Sequence, residues 1–172
     1  MVDSRTFFTI STERLLLDSF SIKDGKKMFQ MLCTQEVAYY LSGIYVKSLC
    51  EAYENINFYR KENGKDYYIA IRLWLPKQKG ELIGTIIATR PKEENDSLDI
   101  AYFIAKEHRK KGYMIEAINA FVQIAKEAGF KKLKFEILDD NIASRKIMKR
   151  IKASMQEKIK EPIPSMLYVL NL

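Results

Sequence analysis

The chain has 172 residues, of which 47% are hydrophobic and 30% charged, a composition typical of a soluble globular domain and not of a disordered chain. One compact domain over residues 1–172 is expected, because a chain of this length buries roughly 70% of its unfolded surface. The net charge of +7 favours anionic partners. Two cysteines without metal-ligand spacing and a single histidine argue against a metal site. No secretory signal and no run of ~20 apolar residues is recognisable, so we expect a cytoplasmic protein without membrane contact.

The first part of the chain predicts one strand and two helices. Residues 12–20 have an apolar centre and predict the strand. Ser21 with Asp24 three positions later resembles a capping box and predicts a helix to about Leu32. Ser48, again with an acidic residue three positions later, predicts the start of the second helix. The residues that share one face of this helix are Leu49, Ala52, Tyr53, Ile56 and Tyr59.

Three strands are predicted next, over residues 67–75, 81–89 and 98–104. Proline, glycine and polar residues separate the first from the second and the second from the third. The simplest arrangement is antiparallel, with the first two strands forming a hairpin.

An amphipathic helix follows a basic loop and is the clearest element of the sequence. Its apolar residues recur at helical spacing from Met114 to Ala128. Gly129 then stands where a left-handed C-terminal cap is wanted. A strand over 133–137 comes next.

The last part of the chain predicts a short helix, capped by Asp140 or Asn141, and two short strands near 155–160 and 166–170. Residues 98–152 therefore run strand, loop, helix, strand, helix. A helix that connects two strands in this way usually makes them parallel. The fold class is therefore α/β (α+β), with a mixed sheet flanked by helices.

The basic loop has the chemistry of a phosphate site. The first turn of a helix exposes unpaired N–H groups and the positive end of the helix dipole, and Gly112 removes the side chain that would hold a phosphate away. An ordinary solvated basic loop with a glycine turn is the alternative. The segment consists of Arg109, Lys110, Lys111, Gly112, Tyr113 and Met114.

These residues resemble the pattern Arg-x-x-Gly-x-(Gly or Ala), the acetyl-CoA motif of the GNAT superfamily of N-acetyltransferases. Residues 108–117 are similar to the "RGKGYATEA" typical of its RimJ/RimL branch. Residues 141–144 resemble the Asn-x-x-Ser motif of that branch, residues 12–17 its opening "TERLLL", and residues 81–85 its third strand. The resemblance spans residues 12–153.

Two positions depart from the pattern. Met114 stands where glycine or alanine is usual, so its side chain must point away from a bound pyrophosphate; weakened or reshaped cofactor binding is the alternative. Lys152 stands where glycine often ends the last helix, which we expect to reduce stability only.

The resemblance implies a GNAT fold: a mostly antiparallel sheet in which the strand before the loop splays from its parallel neighbour. It also implies acetyl-CoA as co-substrate, without a metal. Backbone groups at Phe103 and Ile104 would pair with the pantetheine arm, residues 109–114 would bind the pyrophosphate, and Asn141 would contact the pantetheine. Ser144 would lie near the sulfur and protonate the departing thiolate; an exposed helical serine is the alternative.

The acceptor nitrogen must lose a proton before or during attack, which requires a base or a water path. By resemblance, Asp99 takes the place of a glutamate base, with a structural carboxylate as the alternative and Glu136 as the second candidate. His108 is interpreted as a solvated or phosphate-adjacent residue and not as a catalytic one. The tyrosine pairs 39–40 and 67–68 either line an acceptor cleft or pack in the fold.

The predicted function is therefore transfer of an acetyl group from acetyl-CoA to a primary amine. The branch resemblance implies a protein N-terminal α-amine, as in ribosomal-protein acetyltransferases. Small-molecule acetyltransferases acting on polyamines, antibiotics or amino acids, a non-catalytic acyl-CoA-binding module and a basic RNA-binding protein stay open as alternatives. Nucleic acid is expected as a partner only through the ribosome, and monomer and homodimer stay open as the oligomeric state.

Overall fold

The computed structural model describes residues 9–61, 66–75 and 78–172. These residues form one eight-stranded sheet in the order β1-β2-β3-β4-β5-β6-β8-β7. The strands are β1 Ile10–Ser11, β2 Leu15–Ser19, β3 Tyr67–Leu75, β4 Gln78–Thr89, β5 Ser97–Ile104, β6 Lys132–Leu138, β7 Ser154–Ile159 and β8 Ser165–Asn171. The helices are α1 Gly25–Leu32, α2 Gln35–Tyr40, α3 Leu49–Lys61, α4 Tyr113–Glu127 and α5 Ile142–Arg150. None of these helices has the length and apolar character needed to cross a membrane.

The sheet is mixed, as the strand–helix–strand pattern predicted. Neighbouring strands are antiparallel throughout, except that β5 and β6, which are connected through α4, run parallel. The prediction of a mostly antiparallel sheet with one parallel pair is confirmed.

The parallel pair splays apart along its length. β5 pairs with β6 only from Ser97 to Asp99, yet β5 continues to pair with β4 as far as Ile104. On the other side, β6 pairs with β8 as far as Leu138. Each strand is thus held by its outer neighbour while the two diverge beyond Asp99, which opens a V in the middle of the sheet.

Side chains of β5 alternate between two hydrophobic clusters on opposite faces of the sheet. Leu98, Ile100 and Ile104 belong to the cluster around α4 and α5. Phe103 belongs to the cluster around α1, α2 and α3. Because successive strand residues point to opposite faces, this alternation assigns every residue at the V to the α4/α5 face or to the α1–α3 face.

The predicted helix starts are present with local differences. Ser21 and Asp24 form the capping box, with the Ser21 N–H donating to the Asp24 carboxylate at 2.6 Å, but a 3₁₀ turn over Ile22–Asp24 precedes α1. The predicted first strand corresponds to β2, and the short β1 that precedes it was not predicted. Helix α2 was not predicted; the Thr34 hydroxyl caps it by accepting the Val37 N–H at 3.3 Å.

A buried ion-pair cluster fixes the start of α1 to the sheet. The Arg72 guanidinium on β3 donates to Asp18 at 2.8 Å and to both oxygens of Asp24 at 2.8 and 2.6 Å. The Arg72 side chain is 3% exposed. Because buried charges are tolerated only when paired, the three residues depend on one another.

Candidate active site

The V between β5 and β6 forms a cleft that is open to one end of the sheet. Side chains from both faces reach it, together with the end of α2 and the first turn of α5. Its lining residues are Tyr40, Leu41, Ile100, Ala101, Tyr102, Glu136, Ile137, Leu138, Asn141 and Ser144.

The N-terminus of α4 follows β5 after a short loop and has no side-chain cap. Gly112 is the N-cap residue and adopts φ of +82°, in the left-handed region that favours glycine. Because glycine offers no capping oxygen, the N–H groups of the first helical turn are left for another acceptor. This geometry suits an anion.

Met114 does not obstruct that anion site. Its side chain is 5% exposed and belongs to the cluster around α4. The bulky Met114 side chain therefore points into the core and away from the helix start, as expected from its size.

The three basic residues of the loop do not share one role. The Arg109 Nε–H donates to the Ile104 carbonyl at 3.0 Å, and its Nη1 lies 2.6 Å from the Glu36 carboxylate of α2. The guanidinium also lies over the Phe103 ring, 5.3 Å from its centroid. Arg109 therefore connects β5 with α2, which corrects the expectation that it supplies mobile charge to a phosphate. Lys110 and Lys111 are exposed, so for these two residues the added positive charge near a phosphate stays a prediction.

A polar network from the first predicted motif supports the same helix start. Glu116 on α4 accepts hydrogen bonds from the Thr12 hydroxyl at 2.5 Å and from the Arg14 N–H at 3.0 Å. It also forms an ion pair with the Arg14 guanidinium at 2.6 Å. Arg14 in turn donates to the Lys111 carbonyl at 3.0 Å. Sequence reasoning matched both segments to family patterns but missed their contact.

Burial would raise the pKa of Glu116, but hydrogen bonds from Thr12 and Arg14 outweigh it and hold the pKa below its usual range. The carboxylate is therefore charged at neutral pH. It anchors Arg14 beside the loop that precedes α4.

The free edge of β5 offers backbone groups to the cleft. The Ala105 N–H donates to the Ile83 carbonyl at 2.8 Å, and antiparallel pairing repeats every two residues. The backbone groups of Phe103 are therefore directed to β4, and those of Tyr102 and Ile104 to the open edge. The backbone contact with pantetheine that was expected at Phe103 is therefore assigned to Tyr102. The Ile104 carbonyl already accepts a hydrogen bond from Arg109.

Asn141 and Ser144 meet at the start of α5 and both line the cleft. Asn141 is the N-cap residue: its Oδ1 accepts the Ser144 N–H at 3.0 Å. Of the two capping residues predicted, Asn141 is the one used. The cap holds Ser144 in the first turn of α5, on the edge of the V.

Tyr102 is a cleft residue that sequence reasoning missed. Its hydroxyl is buried and lies beside the Ser144 side chain, but in the described part of the chain it forms no hydrogen bond of good geometry. Burial raises the pKa of Tyr102 to about 12, and the Ser144 side chain acts in the opposite direction. The sequence signal for Tyr102 was limited to its alternation with apolar residues: it shares one face of β5 with Ile100 and Ile104, the face toward α4 and α5.

The two candidate bases lie on the α1–α3 face. Asp99 is at the vertex of the V, in the last residue pair that joins β5 to β6, opposite Lys134. Glu136 is two residues farther along β6 and lines the cleft, whereas Asp99 does not. Burial raises the pKa of Asp99; Lys134 lowers it, while Glu94 and Glu136 raise it further. The Glu136 carboxylate accepts the Ser165 hydroxyl at 2.7 Å.

Helix α2 lies across the mouth of the cleft on this face. It is attached on one side through Glu36 to Arg109 and on the other through the Tyr39 hydroxyl, which donates to Asp140 at 3.0 Å. Tyr40 lines the cleft. Of the two predicted tyrosine pairs, this one contributes a residue to the lining of the cleft.

The second tyrosine pair has a packing role. Tyr67 contacts the rings of Phe121 and Phe130, and Tyr68 stacks on Tyr59 with the ring centroids 4.2 Å apart.

Among the described residues, Glu81, Glu107 and His108 bring possible metal-ligand atoms within 4.8 Å of one another. The Lys27 ammonium lies 2.5 Å from Glu81 and 3.2 Å from Glu107. The Lys27 ammonium thus supplies the positive charge that a metal ion would otherwise provide. We therefore interpret the group as an ion-pair cluster and not as a metal site.

Comparison with known proteins identifies the family. Residues 14–154 match the family described as the acetyltransferase (GNAT) domain. The chain belongs to the GNAT acetyltransferase family. It is similar to YnaD of Bacillus subtilis (strain 168), named as an uncharacterised N-acetyltransferase, with 26% identity over 161 residues that cover 90% of this chain and 88% of that protein.

Solved structures share the GNAT fold. An acetyltransferase of the GNAT family from Bacillus anthracis superposes with a TM-score of 0.81 at 21% identity, covering 95% of this chain and 98% of that one. RimL, described as a ribosomal L7/L12 alpha-N-protein acetyltransferase and solved in complex with coenzyme A, superposes with a TM-score of 0.83 at 15% identity, covering 96% and 98%.

Within this GNAT domain, the structure brings together part of the predicted site. Asn141 and Ser144 share the cleft with the free edge of β5. Asp99 lies at the vertex, on the opposite face of the sheet from Ser144. The Arg109 side chain is bound to Glu36 of α2 and to the Ile104 carbonyl.

Proposed function

We propose that this chain transfers an acetyl group from acetyl-CoA to a primary amine. One observation carries the proposal: an uncapped helix start at Gly112 follows a strand whose free edge lines an open cleft. The first feature suits a diphosphate and the second an extended amide-containing arm. Acetyl-CoA contains both, and it supplies the acetyl group as an activated thioester.

The residues of the chain divide the binding of this co-substrate among them. The N–H groups at the start of α4 bind the pyrophosphate, with Lys110 and Lys111 adding positive charge. The free backbone groups of Tyr102 and the Ile104 N–H, together with the Asn141 side chain, pair with the pantetheine arm. Ser144 lies where its hydroxyl donates a hydrogen bond to the departing sulfur.

The α1–α3 face receives the amine. An ammonium ion has no lone pair, so a base must take one proton before the nitrogen can attack the carbonyl carbon. Asp99 is the proposed proton acceptor, acting through a water molecule because it lies at the vertex and outside the cleft lining. Its raised pKa makes it a stronger base than an ordinary aspartate. Glu136, which lines the cleft, attracts the cationic amine and is the second candidate for the base.

A protein N-terminal α-amine is the proposed acceptor class. The similarity of fold to RimL supports it, since RimL is described as acting on the α-amine of a ribosomal protein. Small-molecule amines are the alternative acceptors, because Glu136 places an acidic side chain in the cleft despite the net charge of +7. A polyamine would therefore not be repelled at the site itself.

The test has two stages. Thermal unfolding with and without acetyl-CoA should show stabilisation that grows with ligand concentration. Release of CoA is then measured with peptides that have free or blocked N-termini, with spermidine and with free amino acids. Transfer only to free N-terminal peptides supports the acceptor proposal, and transfer to spermidine alone replaces it. Binding without any transfer favours the acyl-CoA-binding module, and salt-dependent RNA binding without any effect of acetyl-CoA favours the RNA-binding alternative.

A further inference from the structure

The Tyr102 hydroxyl is a buried donor that lies beside the Ser144 side chain. It lies on the segment of β5 beyond Asp99, where β6 no longer pairs, and it faces α4 and α5. Among the described residues, no group forms a hydrogen bond of good geometry with it. A buried hydroxyl that stays unpaired destabilises the folded state. A ligand that accepts its hydrogen bond would remove this cost.

The rest of the tyrosine is packed as a phenylalanine would be. Its ring meets the Phe135 ring edge to face, with the centroids 6.2 Å apart. Packing therefore accounts for the ring and leaves the hydroxyl unexplained. Because Tyr102 lines the cleft together with Ser144 and Asn141, the unexplained donor lies at the proposed site.

We propose, resting on the function proposed above, that the Tyr102 hydroxyl donates a hydrogen bond to the sulfur of coenzyme A as the acetyl–sulfur bond breaks. Ser144, which approaches the same cleft from α5, provides the second hydroxyl. The two residues form a thiolate-binding pair on the α4/α5 face of the sheet. This makes Tyr102 a further catalytic residue.

The proton balance distinguishes donation from transfer. As nitrogen bonds to the carbonyl carbon, the carbon–sulfur electron pair goes to sulfur, and the amine proton goes to the base on the other face. A thiol ionises near pH 8.5, whereas burial raises the pKa of Tyr102 to about 12. The phenol therefore keeps its proton and stabilises the thiolate by hydrogen bonding. A serine hydroxyl is a still weaker acid, so Ser144 acts in the same way.

Tyr102→Phe removes the hydroxyl and keeps the ring. We expect kcat to fall about 10- to 100-fold, the effect of losing one hydrogen bond to a charged group, with no loss of acetyl-CoA affinity and no loss of thermal stability. Tyr67→Phe is the matched control, because Tyr67 packs against Phe121 and Phe130; its kcat should equal that of the wild type. Ser144→Ala should lower kcat in the same way as Tyr102→Phe.

A second measurement does not depend on turnover. The thiol of bound CoA is titrated by the ultraviolet absorbance of its thiolate, and CoA is compared with desulfo-CoA in binding. The wild-type protein should lower the pKa of the bound thiol, and at a pH above that pKa it should bind CoA more tightly than desulfo-CoA. Both effects should be smaller in Tyr102→Phe. A Tyr102→Phe enzyme with wild-type kcat and an unchanged thiol pKa overturns this inference alone. A wild-type protein that binds no CoA overturns the proposed function and the inference together.

Discussion

Replacing Gly112 by alanine tests the phosphate site, because Gly129 provides a matched control at the other end of α4. Both glycines are left-handed, with φ of +82° and +88°. A Cβ at Gly112 would lie 3.5 Å from the Arg14 Nη2, an ordinary contact, and a Cβ at Gly129 would meet nothing within 4 Å. Neither variant should clash. Each should lose about 1–2 kcal/mol from the left-handed backbone, a decrease in Tm of roughly 2–8 °C for a chain of this size.

Only the Gly112 variant should lose cofactor affinity. Its methyl group would stand beside the N–H groups that bind the pyrophosphate. Losing one hydrogen bond to a charged group costs about 1.5–3 kcal/mol, so the Kd for acetyl-CoA should rise roughly 10- to 100-fold. Gly112→Glu, which adds negative charge at the same place, should abolish binding.

Titration calorimetry with acetyl-CoA measures the affinities, and thermal unfolding without ligand measures the backbone cost. The comparison requires the two alanine variants to be destabilised alike, so that any difference in affinity belongs to the site. If Gly112→Ala binds acetyl-CoA as tightly as Gly129→Ala, the start of α4 does not hold the phosphates and the reasoning is refuted.

Three further substitutions test other parts of the structure. In Asp99→Asn, kcat should fall about 10²- to 10⁴-fold with unchanged acetyl-CoA affinity, and an unchanged rate would remove Asp99 from the mechanism. The wild-type kcat/KM should decline as pH falls through the pKa of Asp99, which burial raises. The stability of the variant at pH 7 should not decrease, since a carboxyl whose pKa is raised by folding costs stability above that pKa. Arg72→Met should lower the free energy of unfolding by about 3–5 kcal/mol, measured in urea, because it leaves Asp18 and Asp24 without their buried guanidinium; a loss under 1 kcal/mol would contradict this role. Lys152→Gly should raise that free energy by about 0.5–1 kcal/mol, since Lys152 adopts φ of +61°, and a destabilised variant would argue against the backbone explanation.

Local signals in the sequence predicted the elements around the V well. The capping box at Ser21, the left-handed cap at Gly129 and the cap at Asn141 each satisfy backbone groups within a few residues. Such contacts depend on neighbours in the chain, so the sequence displays them directly. Helix α2 escaped prediction because its six residues are too few to show a period.

The site was less predictable because its decisive contacts are distant in sequence. Arg14 and Glu116 are 102 residues apart, and Arg109 reaches Glu36 across 73. The sequence of the basic loop does not show that Arg109, unlike the two lysines beside it, is already hydrogen-bonded to Ile104 and Glu36. Tyr102 was missed for a different reason: an orphaned hydroxyl is defined by the absence of a partner, which only the packed structure reveals.

The alternation of β5 has a consequence for how the reaction is arranged. Asp99 faces α1–α3, whereas Tyr102, three residues later, faces α4 and α5. The proposed base and the proposed thiolate donors therefore lie on opposite faces of one sheet. A continuous sheet would keep them apart, because its backbone hydrogen bonds fill the plane between them. The separation of β5 from β6 removes those bonds beyond Asp99, and only there can an amine from one face reach a thioester held on the other.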